Sequence, residues 1–174
     1  MTMLSLPLDS EGATDPRLLR QALGRFATGV TVITTCTQDG KYEGLTANSF
    51  SAVSLDPPLV LWSLRLAAPS LPSFKASGCF VVNVLSTAQS RISRHFATPR
   101  HDKFEEVPFK PGIGGAPMFE DSLAIFECRT ETTVEGGDHV IFIGRVLQAH
   151  YRDGEPLIFA AGRYGTHRPL PEPT

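Results

Sequence analysis

Small polar side chains cluster in one short segment of this chain, Thr46-Ala-Asn-Ser49, and their types suit the binding of a flat polar ligand. Hydroxyl, amide and backbone N–H groups at the end of a strand can hydrogen-bond the heteroatoms of such a ligand. Small side chains leave room for the ligand to approach the backbone. An ordinary β-turn-β unit with an edge rich in Ser and Thr has the same composition, so both interpretations stay open at this point.

Two apolar segments flank a turn and must position this edge. Asp56-Pro57-Pro58 separates the polar segment from the apolar run Leu59-Val-Leu-Trp62. Because proline fixes φ and lacks an N–H donor, these three residues are predicted to end one strand and begin the next. The run that follows is typical of a strand buried on both faces.

The rest of the chain predicts a mainly β fold with a few short helices. Asp15 is a favourable N-cap and Pro16 suits a first helical position, so we expect a helix that packs its apolar side chains on the sheet and ends at Gly29. Further helices are predicted from Ser70 to residue 77 and from Ser86 to about residue 96. Strands are predicted at 30–35, 42–50, 59–64, 79–85, 122–133, 139–151 and 157–161. Successive antiparallel strands indicate a barrel or sandwich and not alternating βαβ units.

Bulk properties exclude several classes of protein. The 174 residues suit one domain, predicted at 15–166, between a flexible N-terminus at 1–14 and a Pro-rich tail at 167–174. A net charge of -2 gives no basic field for nucleic acid. No apolar run approaches the ~18–20 residues of a membrane span, and no secretory signal is recognisable. The three cysteines form no CxxC pair, so reduced thiols and a cytoplasmic location are expected.

Common catalytic motifs do not occur in the sequence. The glycines of Pro111-Gly-Ile-Gly-Gly115 do not complete G-x-G-x-x-G, because Pro117 takes the last place. There is no Walker sequence and no G-x-S-x-G. The five histidines lack a spacing suited to zinc.

Five segments, in order along the chain, resemble the flavin reductase-like family, the short-chain NAD(P)H:flavin oxidoreductases that serve two-component monooxygenases. The segments are 44–61, Ser77-Gly-Cys-Phe-Val-Val-Asn-Val-Leu85, Arg94-His-Phe-Ala97, Asp102-Lys-Phe104 and Gly137-Asp-His139. The resemblance runs from about Leu18 to Tyr164. It implies an FMN-binding split antiparallel β-barrel with short helical excursions, with the flavin bound at the interface of a homodimer.

The resemblance also implies where the flavin ring lies. Backbone groups and polar side chains of one segment would bond the polar edge of the ring, where negative charge develops on reduction. The implied residues are Gly44, Leu45, Thr46, Ala47, Asn48 and Ser49.

A phosphate site is expected beside this segment. Ser63, Leu64 and Arg65 follow the apolar strand, and Ser70 opens a predicted helix. A helix N-terminus with a hydroxyl and a nearby guanidinium can hold a phosphate. A solvated loop charge is the alternative for Arg65.

Two further positions are implied to approach the flavin from the partner subunit, His95 and Phe96. The family often has Arg where this chain has His95, and a neutral imidazole binds phosphate more weakly. Lys103 offers either a cation near the same phosphates or a surface charge.

The motif that ends at His139 resembles the family position that contacts the nicotinamide nucleotide. His139 is therefore predicted to position NADH or NADPH, and Tyr164 to close the same pocket with its aromatic face. His139 is the one residue predicted to serve the reaction directly.

Together these observations predict a cytoplasmic homodimeric flavin reductase. Hydride would pass from NADH or NADPH to FMN or FAD, and the reduced flavin to a separate monooxygenase. A flavin-binding electron carrier and an FMN-dependent oxidase of the wider split-barrel group are the alternatives. The sequence leaves open which flavin and nucleotide are used, how tightly the flavin is held and which monooxygenase receives it.

Overall fold

The computed structural model describes residues 3, 5, 15–100 and 102–170, and antiparallel β-sheet is the main secondary structure of this part. The helices are α1 (Pro16–Leu23), α2 (Leu71–Ser77) and α3 (Ser90–Ala97). The strands are β1 (Thr28–Gly29), β2 (Thr31–Cys36), β3 (Tyr42–Ala47), β4 (Ser51–Leu55), β5 (Pro58–Arg65), β6 (Cys79–Val84), β7 (Lys110–Pro111), β8 (Pro117–Met118), β9 (Ala124–Gly136), β10 (His139–Tyr151), β11 (Leu157–Ala160) and β12 (Arg163–Thr166). The predicted mainly β fold with short helices is confirmed. The predicted flexible N-terminus, apart from residues 3 and 5, and residues 171–174 of the predicted tail lie outside the described residues.

Seven strands form one sheet in the order β3-β2-β6-β9-β10-β5-β4, with every neighbouring pair antiparallel. Only Asn48-Ser49-Phe50 joins its two outer strands, β3 and β4. In a flat seven-stranded sheet the outer strands would lie about 29 Å apart, whereas such a link reaches at most about 15 Å. The sheet therefore curls until its outer strands approach each other, which gives the split barrel that was predicted.

The link between the outer strands also corrects a detail of the prediction. Residues 42–50 do not form one strand, because the chain crosses from one edge of the sheet to the other after Ala47. The turn at Asp56-Pro57 was predicted correctly, since β4 and β5 pair as a hairpin on either side of it. We call the place where β3 and the β4–β5 hairpin face each other the seam.

The inside of the barrel is filled by aromatic side chains around Trp62, which is fully buried. Its indole stacks on Phe142 with ring centroids 4.7 Å apart and meets the edges of Phe74 at 4.9 Å and Phe80 at 5.7 Å. A second cluster contains Phe96 and Phe119 and lies beneath α3. The two clusters fix the strands and α3 that surround the seam.

The predicted start of α1 is confirmed, because the Asp15 carboxylate accepts a hydrogen bond from the Arg17 N–H at 2.8 Å. The helix ends at Gly24 and not at Gly29, which belongs to β1. Its apolar face does not pack on the sheet as predicted, since none of its side chains is buried. Leucines 18, 19 and 23 instead face outward.

The predicted capping box before α3 is confirmed. The Gln89 side chain accepts a hydrogen bond from the Ser86 N–H at 3.0 Å, and α3 then runs to Ala97. A small sheet of β1, β11 and β12, of which β1 and β12 were not predicted, packs near this helix. None of the helices described here is long and apolar enough to cross a membrane.

Candidate functional site

A cleft of about 870 Å³ opens along the seam, between β3, the end of β5, α3 and the loop that follows α3. The structure brings twelve of the fourteen predicted site residues to this cleft and leaves His95 and Tyr164 outside it. The twelve are Gly44, Leu45, Thr46, Ala47, Asn48, Ser49, Ser63, Leu64, Arg65, Ser70, Phe96 and His139. Residues distant in the sequence therefore share one concave surface.

The polar edge of the cleft divides into hydroxyls that hold the fold and one amide that does not. Thr46 Oγ1 donates to the Ser93 carbonyl at 2.6 Å, which ties β3 to α3. Ser49 Oγ accepts from the Ser63 N–H at 2.9 Å, which closes the seam. The exposed Asn48 side chain has no hydrogen-bond partner among the described residues. Of the three polar side chains predicted to meet a flavin edge, Asn48 is thus the most available.

Gly44 lies at the floor of the cleft, where no larger residue fits without movement. A Cβ added at this buried glycine would lie 2.8 Å from ring atoms of both Phe96 and Phe104. These two rings meet at a centroid distance of 5.0 Å and an interplanar angle of 65°. Glycine here lets the aromatic floor contact the strand backbone directly.

Positive charge predominates around the cleft. Lys41, Arg65, Arg100 and Lys103 line it, whereas Glu43 is the one carboxylate among the described lining residues. Glu43 is itself paired with Lys41 at 2.7 Å. Arg100 is paired with Asp102 at 3.2 Å, and Arg65 lies 3.9 Å from Asp138, so among the described residues Lys103 is the lining cation without a salt bridge. The two arginines are exposed and can turn toward an anionic ligand such as a phosphate ester.

Lys103 is both a cation that lines the cleft and a structural contact between the loop after α3 and the barrel. Its Nζ donates to the carbonyl oxygens of Gly44 at 3.0 Å and Phe96 at 3.1 Å. Burial lowers the pKa of this ammonium. The side chain therefore lines the cleft and also fastens the loop after α3 to the barrel.

His95 and Tyr164 support the cleft from outside. His95 Nε2 lies 2.8 Å from the Lys103 carbonyl oxygen, so the imidazole braces the same loop. The Tyr164 hydroxyl lies 2.7 Å from Ser93 Oγ, and the Arg94 guanidinium covers its ring at 5.1 Å. Because the ring packs behind α3, Tyr164 does not line the cleft of its own chain.

Arg65, Asp138 and His139 lie together in the part of the cleft where β10 begins. His139 and Arg65 are register partners on β10 and β5. Asp138 lies beside both, with Oδ1 2.7 Å from His139 Nδ1 and Oδ2 3.9 Å from the Arg65 guanidinium. The hydrogen bond from His139 is the main reason that the pKa of the Asp138 carboxyl is lowered, and Arg65 adds to the effect.

Sequence reasoning missed several lining residues. Tyr42 and Glu43 precede the recognised segment, and the positions after α3 lie in a loop without periodicity. The Pro and Gly content of residues 98–115 predicts a long surface loop of the kind that often forms a lid or a binding segment, but not which of its residues face the cleft. The further lining residues are Lys41, Ala67, Ala68, Pro69, Ala97, Thr98, Pro99, Arg100 and Phe104.

Replacing Lys103 with methionine is expected to loosen the loop after α3. Methionine keeps the apolar stem but removes two charge-assisted hydrogen bonds, each worth roughly 1.5–3 kcal/mol before desolvation is subtracted. We expect faster amide exchange at 98–110 with an unchanged rate in the core strands. Lys75→Met, in α2, is the matched control; equal exchange in the two variants would contradict the assigned role of Lys103.

Comparison with known proteins gives a consistent result. A family model described as a flavin reductase like domain matches residues 23–168. The FMN reductase (NADH) SmoA of Agrobacterium fabrum (strain C58 / ATCC 33970) is 43% identical over 88% of this chain and 87% of its own length. The flavin-dependent monooxygenase reductase subunit HsaB of Rhodococcus jostii (strain RHA1) is 40% identical over 87% of this chain and 78% of its own length.

Solved structures agree with these relatives. The NADH:FAD oxidoreductase SgcE6 of Streptomyces globisporus C-1027, solved in complex with NAD and FAD fragments, superposes with a TM-score of 0.86. It shares 37% identity, and the match covers 95% of this chain and 98% of that one.

A Rhizobium meliloti (strain 1021) relative is 47% identical over 88% of this chain, and the chain spans only half (50%) of that relative's length.

Proposed function

Because this chain belongs to the flavin reductase-like family, we propose that it is an enzyme that uses NADH to reduce FMN or FAD. The cleft at the seam is the observation that carries the proposal, since it joins an aromatic floor, a free amide and a positive rim in one concave surface. These are the features that a flat, phosphate-bearing ligand requires. NADH is the donor named for SmoA, and SgcE6 was solved with NAD and FAD fragments.

The residues that line the cleft offer contacts for both the ring and the phosphate of a flavin. Asn48 would bond the polar edge of the ring, and the backbone of β3 near Gly44 would run along the ring. Arg65, with the hydroxyl of Ser70, would hold phosphate, and Ser70 makes no capping hydrogen bond to its own helix. When bound, the flavin supplies the hydride acceptor, and the protein supplies orientation and charge.

The nucleotide is proposed to bind beside His139, which is the register partner of Arg65. Its imidazole lines the cleft on the side of β5 and β10, whereas Asn48 lies at the end of β3. A donor held by His139 would thus face a flavin held along β3. Hydride transfer requires reacting atoms about 3–3.5 Å apart, so the value of this arrangement is the alignment of two flat rings.

The unit that acts is proposed to be a homodimer in the cytoplasm. Leu18, Leu19 and Leu23 on α1, together with the 78% exposed Phe26, form an apolar surface that a second copy would cover. His95 and Tyr164 do not line the cleft of their own chain, and such a dimer would bring them to the partner's cleft. Cys36, Cys79 and Cys128 are free thiols, which suits a reducing compartment.

The reduced flavin is proposed to leave and to serve a separate monooxygenase. The similarity to HsaB, a reductase subunit of a flavin-dependent monooxygenase, supports this role. The open cleft at the seam suits a flavin that is exchanged.

The test is oxidation of NADH and NADPH by the purified chain, with and without FMN, FAD and riboflavin. We expect NADH oxidation that saturates with FMN or FAD and is slow without flavin. His139→Ala should raise the KM for NADH about tenfold, equivalent to ~1.4 kcal/mol, with the KM for flavin unchanged. NADH oxidation that does not respond to flavin would overturn the proposed function.

A further inference from the structure

We propose that Asp138 is a positioning residue that fixes which nitrogen of His139 carries the proton, so that Nε2 accepts a hydrogen bond from the bound ligand. The identity of that ligand as a nicotinamide nucleotide rests on the proposed function. The state of the imidazole does not rest on it, because the contact lies within the ligand-free chain.

The distance between the two side chains determines the tautomer. Asp138 Oδ1 lies 2.7 Å from His139 Nδ1, which is a normal length for a charge-assisted hydrogen bond. An ionised carboxylate can only accept, so Nδ1 must carry the proton. In the neutral imidazole Nε2 is then an acceptor.

The backbone holds Asp138 in place although its side chain is 75% exposed. Gly137, with φ of 59°, makes the tight turn between β9 and β10. The Leu66 N–H donates to the Asp138 carbonyl at 2.9 Å, which ties the turn to the end of β5. The backbone of Asp138 is thus tied to the end of β5, and the Arg65 guanidinium, 3.9 Å from the carboxylate, adds a positive charge beside it.

The direction of the contact leaves Nε2 for the ligand. His139 lines the cleft, whereas Asp138 is not among its lining residues. Among the described residues Nε2 has no hydrogen-bond partner, so it is the polar atom of the ring that remains for a molecule in the cleft. A nicotinamide carboxamide offers both a carbonyl acceptor and an NH₂ donor, and an acceptor at Nε2 selects the NH₂ group.

Removal of the carboxylate therefore has a specific consequence. The tautomer of a histidine follows the hydrogen bond made by its other nitrogen. Without Asp138 the ring can rotate and the proton can move to Nε2, which would then present a donor to the carboxamide. Asp138→Glu keeps a carboxylate, which can only accept, so it should preserve the tautomer.

The direct experiment is two-dimensional ¹H–¹⁵N NMR of the imidazole rings in ¹⁵N-labelled protein without ligand, at a pH where the histidines are neutral. His139→Gln identifies the His139 signals by their loss. We expect the Nδ1–H form in the wild-type chain and in Asp138→Glu, and conversion largely to Nε2–H in Asp138→Ala. A wild-type spectrum dominated by Nε2–H, or one unchanged in Asp138→Ala, overturns the proposal whether or not the chain reduces flavin.

Kinetics supply the second measurement. Asp138→Ala should raise the KM for NADH about tenfold and leave the KM for flavin within about twofold, and Asp138→Glu should recover most of the loss. Glu135→Ala is the matched control, because it removes an exposed carboxylate from the same hairpin without touching His139. Equal losses in Asp138→Ala and Glu135→Ala would show that only overall charge matters and would overturn the positioning role.

Discussion

Replacing Gly44 with alanine is expected to raise the KM for flavin at least about tenfold, or ~1.4 kcal/mol, and to lower the free energy of unfolding by about 1–3 kcal/mol. The new methyl group would lie 2.8 Å from ring atoms of Phe96 and Phe104. Phe96 is only 1% exposed and cannot move without displacing the second cluster. The ring of Phe104 must therefore shift, and with it the loop that Lys103 fastens to the barrel.

The measurement combines flavin titrations of NADH oxidation with urea unfolding of the same proteins. Gly29→Ala is the control, because a Cβ at Gly29 has no neighbour within 4 Å. We expect the control to change stability by less than about 0.5 kcal/mol. If Gly44→Ala matched Gly29→Ala in both measurements, the aromatic floor would not be the reason for glycine at this position.

Replacing Trp62 with alanine is expected to lower the free energy of unfolding by about 3–5 kcal/mol. The indole is fully buried and contacts the rings of Phe74, Phe80 and Phe142. Its removal leaves a cavity at the centre of the barrel, which the surrounding strands cannot close. Urea unfolding followed by far-ultraviolet circular dichroism measures the loss. Tryptophan fluorescence cannot follow the unfolding of this variant, because Trp62 is the only tryptophan in the chain.

The matched variant is Trp62→Phe, which keeps an aromatic ring among the other three. It also removes Nε1, a buried polar atom without a partner among the described residues. We therefore expect a loss of less than about 2 kcal/mol for Trp62→Phe. Equal losses for the two variants would mean that ring stacking does not determine the stability of this cluster.

The order of the strands could not be read from the sequence. Local patterns predicted most of the longer strands and the helix starts at Asp15 and Ser86, because turns and caps depend on a few neighbouring residues. The crossing after Ala47 depends on which strands lie at the edges of the sheet. That arrangement is set by pairings between distant segments, such as β6 with β9 and β5 with β10.

In the candidate site, too, features set by local sequence could be predicted, and features set by contacts between distant segments could not. Residues inside recognisable motifs, such as Asn48 and His139, were predicted and lie in the cleft. For Lys103 the sequence left open a cation near the phosphates or a surface charge. Its contacts with Gly44 and Phe96 could not be predicted, because they require the loop to fold back on β3. Tyr164 lies outside the cleft of its own chain, because β12 packs behind α3, and nothing in the sequence indicates that packing.

The position of the seam has a consequence for how the chain is made. During synthesis the β4–β5 hairpin emerges early, but its neighbour β10 begins only at His139. Until that strand has left the ribosome, β5 lacks its partner and the two walls of the cleft are not held together. Flavin can therefore bind only when barrel closure is complete, so it would stabilise the finished fold and not its intermediates.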